Sequence, residues 1–124
     1  MDRPLELVFH NMKPNDELES LVRERVARLE HLYDHIIGCR VSLEVKNNSH
    51  RGGTVPEIHI ELQVPGQLLV LRQDENKARK LHREPDAQMS IRDAFDAVAI
   101  QLRDYKARRV GNVKTHTAVE PPLE

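Results

Sequence analysis

The chain has 124 residues, with 19 Lys or Arg against 20 Asp or Glu and a net charge of −1, which suits one domain with a single modest core. No apolar run approaches the roughly 20 residues needed to span a bilayer, and the opening Met-Asp-Arg-Pro-Leu-Glu lacks the apolar stretch of a signal peptide. A lone cysteine, Cys39, has no internal disulfide partner, which suits a reducing cytoplasm.

Leu5, Leu7 and Phe9 alternate with Glu6, Val8 and His10, the period of a short strand. Residues 11–15 form a turn around Pro14, with Asn15 or Asp16 placed to cap a helix. That helix sets Leu18, Leu21, Val22, Val26, Leu29 and Tyr33 on one face and is expected to end near Gly38. Its acids Asp16, Glu17 and Glu19 fall in the first turn and Arg23, Arg25 and Arg28 come later, as the helix dipole favours. Val41, Leu43 and Val45 predict a second strand, and the polar run 47–53 a hairpin loop. Ile58, Ile60, Leu62 and Val64 predict a third strand, Pro65-Gly66 a turn, and Leu68 to Leu71 a fourth strand.

From Arg72 to Met89 no period is visible, so 72–89 is expected to be a long charged loop. A long helix follows from Ser90, with Ile91, Ala94, Phe95, Val98, Leu102 and Tyr105 on one face. Residues 117–124, with Pro121-Pro122, are expected to form a flexible tail behind one domain over 1–116. The order β-α-β-β-β-α predicts an α+β two-layer sandwich, with a four-stranded sheet and two helices on one face.

Charge is distributed unevenly. Between Arg103 and Lys114 five Lys or Arg face one acid, a local charge of +4. Within residues 72–83 of the loop, Arg72, Lys77, Arg79, Lys80 and Arg83 against Asp74 and Glu75 give +3. Positive charge gathered in a near-neutral chain points to an anion, and guanidinium groups suit phosphate oxygens because they donate in pairs and stay charged. On the first helix, where acids and bases mix, plain solvation of the surface accounts for the pattern equally well. Only Phe9, Tyr33, Phe95 and Tyr105 are aromatic, and periodicity assigns most of them to core faces. Few are left to stack on bases, so RNA binding would work through phosphates and shape.

His31 and His35 stand one helical turn apart, a spacing open to a divalent metal, but no third ligand lies nearby and interaction with the final helix carbonyls is the plainer reading. His50 and Arg51 in the hairpin loop are placed either to touch an RNA backbone or to serve as ordinary loop residues. The sequence has no Walker loop, dinucleotide fingerprint, Gly-x-Ser-x-Gly or metalloprotease motif, and Cys39 has no histidine beside it. No catalytic site, cofactor, metal or small-molecule substrate is therefore expected.

The first-helix segment Leu18–Ile36, the run Ser90-Ile-Arg-Asp-Ala-Phe-Asp-Ala-Val98, the stretch Gln101-Leu-Arg-Asp-Tyr-Lys-Ala-Arg-Arg109 and Val113-Lys-Thr-His116 together resemble the ribosome hibernation promoting factor family. That family is also called ribosome-associated inhibitor, ribosomal subunit interface protein or sigma-factor modulation protein. The likeness runs from about Leu5 to His116 and is to the short form, because the chain ends before the dimerisation domain of long members. It implies a double-stranded-RNA-binding-domain-like fold and a cytoplasmic translation inhibitor. Its implied partners are the small ribosomal subunit, its rRNA and the whole ribosome, with the mRNA and tRNA sites blocked under stress. It implies RNA contacts at Arg25 and Arg28 of the first helix, at Arg103, Lys106, Arg108 and Arg109 of the second, and at Lys114. The charge of the loop adds Lys77, Arg79 and Lys80. Ala99-Ile100 stands where related sequences often carry basic residues, which either weakens the phosphate-facing side of the second helix or moves the burden to the tail and loop. The alternative is a regulator that docks the same charged faces on a protein, such as a transcription factor, without RNA.

Overall fold

A computed structural model describes residues 1–45, 55–83 and 85–116, the last seven of them by their backbone alone. The hairpin loop expected at 47–53 and the tail at 117–124 lie outside the described residues. The elements are β1 (Glu6–His10), α1 (Asp16–Leu32), β2 (Gly38–Glu44), β3 (Glu57–Val64), β4 (Gln67–Gln73), α2 (Glu75–Leu81) and α3 (Ala87–His116). The strands form one sheet in the order β1-β2-β3-β4, with β1 parallel to β2 and the other pairs antiparallel.

Register turns the alternating pattern into a two-faced sheet. Leu7, Val41, Ile60 and Leu71 stand opposite one another across four strands, and Phe9, Leu43, Ile58 and Gln73 form the next row. Both rows face the helices. Val41, Leu43, Ile58 and Ile60 are fully buried, each such side chain contributing about 1.5–3 kcal/mol. The outer face carries Glu6, Arg40, Glu61 and Val70 in one row and Val8, Ser42, His59 and Arg72 in another. Gln73 ends an apolar row, and its Nε2 donates to the Ser90 carbonyl at 3.2 Å, fixing the end of β4 to the start of α3.

Asn15 is the cap of α1: its Oδ1 accepts from the Glu17 and Leu18 amides at 2.9 and 3.1 Å. The helix buries Leu18, Val22, Val26 and Leu29. It ends at Leu32 rather than near Gly38, because Tyr33 turns extended and Asp34 to Ile37 carry the chain into β2. Asn11 takes the left-handed conformation, φ 54°, and its side chain donates to the Val45 carbonyl at 2.7 Å. Gly66, at φ 76°, supplies the positive φ that the second position of the Pro65-Gly66 turn requires. The Tyr105 hydroxyl donates to the Pro65 carbonyl at 2.6 Å, so α3 holds that turn in place. Gln101 Nε2 donates to the Val70 carbonyl at 3.2 Å and occupies a backbone acceptor on the sheet edge.

The segment 72–89 corrects the expectation of a long loop. Its first residues complete β4, Glu75–Leu81 is a helix, and α3 begins at Ala87. Asp74 caps α2 by accepting from the Lys77 amide at 2.8 Å, and Arg79 Nε reaches Glu75 at 2.9 Å one turn away. Only Ala78 of this helix is buried, which explains the missing apolar period. His82, just beyond it, lies 2.6 Å from Asp93 of α3.

Candidate nucleic-acid interface

The buried stripes of α1 and α3 leave two flanking rows of side chains that meet over the helix pair. On α1 these are Arg25, Arg28, His31 and Leu32, beside the core positions Val26 and Leu29. On α3 they are Asp96, Ala99, Arg103 and Lys106, beside Phe95 and Leu102. Steps of three and four residues keep each row on its own flank. Between them runs a groove of about 390 Å³, with Leu29, Leu32, Phe95 and Ala99 in its lining. Its charged lining consists of Arg25, Arg28, His31, Arg103 and a single acid, Asp96.

Arg25 is the innermost cation. Its side chain is 16% exposed, its Nη1 lies 3.5 Å from Asp96 Oδ1, and its Nε is buried with no hydrogen-bond partner among the described residues. Asp96 is 67% exposed, and a long pair with so solvated an acid is worth under about 1 kcal/mol. Arg25 is therefore only weakly engaged at its guanidinium end, while its Nε is enclosed by protein. Arg28 is loosely paired with Glu24 at 3.8 Å, and Arg103 forms no ion pair among the described residues. Lys106 Nζ donates to the Leu32 carbonyl at 3.0 Å, so it both caps α1 and extends the cationic edge.

The other expected contacts lie elsewhere. Arg108 is paired with Asp104 on the solvent side of α3. Arg109 lies over the Tyr105 ring at 5.6 Å, and Tyr105 meets Tyr33 edge-on at 5.6 Å. Burial first, and its contact with Tyr33 second, push the Tyr105 phenol above its ordinary range, which keeps it a donor. Lys77, Arg79 and Lys80 belong to α2, where Lys77 and Lys80 line a separate depression with Arg72, Asn76, Asp74 and Glu57. The backbone of Lys114 continues α3, and its side chain lies outside the described ones.

The structure thus brings together Arg25, Arg28 and Arg103, with Lys106 beside them, and leaves Lys77, Arg79, Lys80 and Arg108 apart. It adds His31, which the sequence reading had paired with His35. Helix α1 ends between these two histidines, and His35 instead approaches Asp34 at 3.4 Å and the Tyr33 ring at 5.5 Å. A step of three from Arg28 is the signal that assigns His31 to the groove. Ala99 lies in the groove lining, whereas Ile100 is 64% exposed on the outer side of α3. The uncovered sheet face has the opposite character, with Glu6, Glu44, Glu57 and Glu61 against Arg40 and Arg72. The groove lining is thus mainly cationic, while these six sheet-face residues sum to −2. Among the described residues no helix is long and apolar enough to cross a membrane.

Fold and groove together define a small α+β sandwich with a cationic channel between two helices. Residues 5–110 match the family described as Sigma 54 modulation protein / S30EA ribosomal protein, and the chain belongs to that family. It is 29% identical over 106 residues to the ribosome hibernation promotion factor of Deinococcus radiodurans, a match covering 83% of this chain and 49% of that protein. The chain thus spans about half the length of that curated relative. Among solved structures, a ribosomal subunit interface protein from Coxiella burnetii superposes with a TM-score of 0.63 at 14% identity, over 83% of this chain and 97% of the other. The N-terminal domain of Protein Y from Thermus thermophilus does so with a TM-score of 0.59 at 20% identity, over 81% and 94%. At these identities the two structures establish the shared fold.

Proposed function

We propose that this chain is a ribosome-associated hibernation factor. In this reading the α1–α3 groove binds phosphates of small-subunit ribosomal RNA, and the bound domain obstructs the path of mRNA and tRNA on idle cytoplasmic ribosomes. The observation that carries the reading is the groove itself: three arginines lining it with one solvated acid. Arg25, Arg28 and Arg103 grip the backbone through paired N–H donors, while Lys106 adds a point charge at the end of α1. Around Phe95 and Ala99 the apolar lining lowers the local dielectric and strengthens those contacts. Arg108, Arg109 and Lys114 continue the contact along α3. Lys77, Arg79 and Lys80 reach RNA outside the groove, as an outlying patch on α2. The domain works by occupancy and needs no chemistry of its own.

Family membership supports the ribosome as target, as do the hibernation and subunit-interface names of its relatives. Co-sedimentation of the purified chain with bacterial ribosomes at low and moderate salt, with translation assayed in parallel, tests the proposal. Salt-sensitive binding to small subunits or whole ribosomes, with translation inhibited, is the expected result. Absence of binding at every salt concentration overturns it. Salt-insensitive capture of a protein partner would favour the transcription-factor reading instead.

A further inference from the structure

We infer that His31 is a proton-dependent phosphate contact in the α1–α3 groove, so that binding of RNA strengthens as pH falls through the imidazole range. The inference rests on the reading of the groove as an RNA site.

His31 lines the same groove as Arg25, Arg28, Arg103 and Asp96, three residues beyond Arg28 on the last turn of α1. It makes no hydrogen bond or ion pair among the described residues, which leaves its ring nitrogens available to a ligand. The acids of its own helix are directed elsewhere: Glu30 holds the N-terminal amine at 3.1 Å, and Asp34 lies against His35 at 3.4 Å. From α3 the charged neighbours are Asp96, whose carboxylate approaches Arg25, then Arg103, and Lys106, whose ammonium is bonded to the Leu32 carbonyl. No strand residue contributes to the groove lining. A phosphate docked between Arg28 and Arg103 therefore meets an unengaged imidazole at the edge of its site.

An imidazole is the one side chain that ordinarily changes charge between about pH 5 and 8. A phosphate beside it favours the imidazolium, which donates through both nitrogens, so docking draws in a proton. By linkage one proton taken up raises affinity by at most about tenfold per pH unit. The arginines stay charged throughout this range and give the groove a constant baseline. The remaining described histidines occupy other surroundings: His10 and His59 on the outer sheet face, His35 against Tyr33, and His82 against Asp93. His31 is the described histidine whose charge is added directly to the groove.

The test measures affinity of the full chain for purified small ribosomal subunits at fixed moderate salt, across about pH 7.5 to 6.0. The wild type is expected to tighten about five- to tenfold over that span. His31→Gln is expected to stay near the pH 7.5 value throughout, and His31→Lys to hold the tighter value at every pH. Because His31 is exposed, circular dichroism should show both variants folded. A His31→Gln variant that tightens as the wild type does overturns the inference, as does a His31→Lys variant that remains pH-dependent. Wild-type binding that is the same at every pH also removes the role of His31 and leaves the proposed function standing. No binding at any pH removes both.

Discussion

Replacing Arg25, Arg28 and Arg103 together with Gln removes the three arginine charges that line the groove while leaving a shorter, neutral polar side chain at each position. If each neutralises one phosphate, the slope of log affinity against log salt becomes shallower by about 0.7–0.9 per residue, or about 2–3 in total. Between about 50 and 200 mM salt the wild type then loses about 20- to 40-fold more affinity than the variant. The fold should survive the change. Arg28 and Arg103 are exposed, and Arg25 is paired only at 3.5 Å with a largely solvated Asp96, so the stability at risk is about 1 kcal/mol. A melting temperature within about 5 °C of the wild type separates lost binding from lost structure. Filter binding or fluorescence anisotropy with small subunits over a salt series gives the slope. A folded variant with an unchanged slope would refute the assignment of the groove.

Four further outcomes concern α2, Tyr105 and Cys39. Lys77→Ala with Lys80→Ala should make the same slope shallower by about 1–2 and leave the groove contacts in place, and an unchanged slope would show that α2 does not touch RNA. Tyr105→Phe deletes the 2.6 Å bond to the Pro65 carbonyl and should cost about 1 kcal/mol in urea denaturation; no change would mean the β3–β4 turn needs no anchor on α3. Burial, assisted by Glu30, pushes the Cys39 thiol up to about 12, so iodoacetamide should spare the native protein at mild alkaline pH and label it on unfolding. Above the ordinary thiol range the unfolded chain gives up this proton first, so stability should fall with rising pH until about 12, and Cys39→Ala should remove that part of the loss.

Most of the fold was legible because burial follows simple periods. Ile58, Ile60, Leu62 and Val64 alternate in the sequence and are all buried in β3, and the α3 stripe from Ile91 to Tyr105 is buried throughout. Helix α2 escaped because seven residues with one buried alanine carry no apolar period; its signals were the Asp74 cap and the Glu75–Arg79 pair. The end of α1 was misplaced because Ile36 is as apolar and buried as the helical positions before it, although the chain is no longer helical there. For the candidate site, the resemblance named Arg25, Arg28, Arg103 and Arg108 together, and nothing along the chain separates the three that line the groove from Arg108, which is turned to Asp104. A charge tally knows which residues are basic, while the flank each occupies depends on how α1 and α3 lie together. His31 was overlooked for the same reason: along the chain it is read with His35, whereas in the fold it lines the same groove as Arg103.

Site-directed photocrosslinking tests the central claim most directly. A photoreactive side chain at position 99, in the groove lining, and another at His59, on the outer sheet face, should be compared on the chain incubated with whole ribosomes. The expected result is crosslinks to small-subunit rRNA from position 99, lost at high salt, and none from position 59. Crosslinks to RNA from the sheet face with none from the groove would contradict the account.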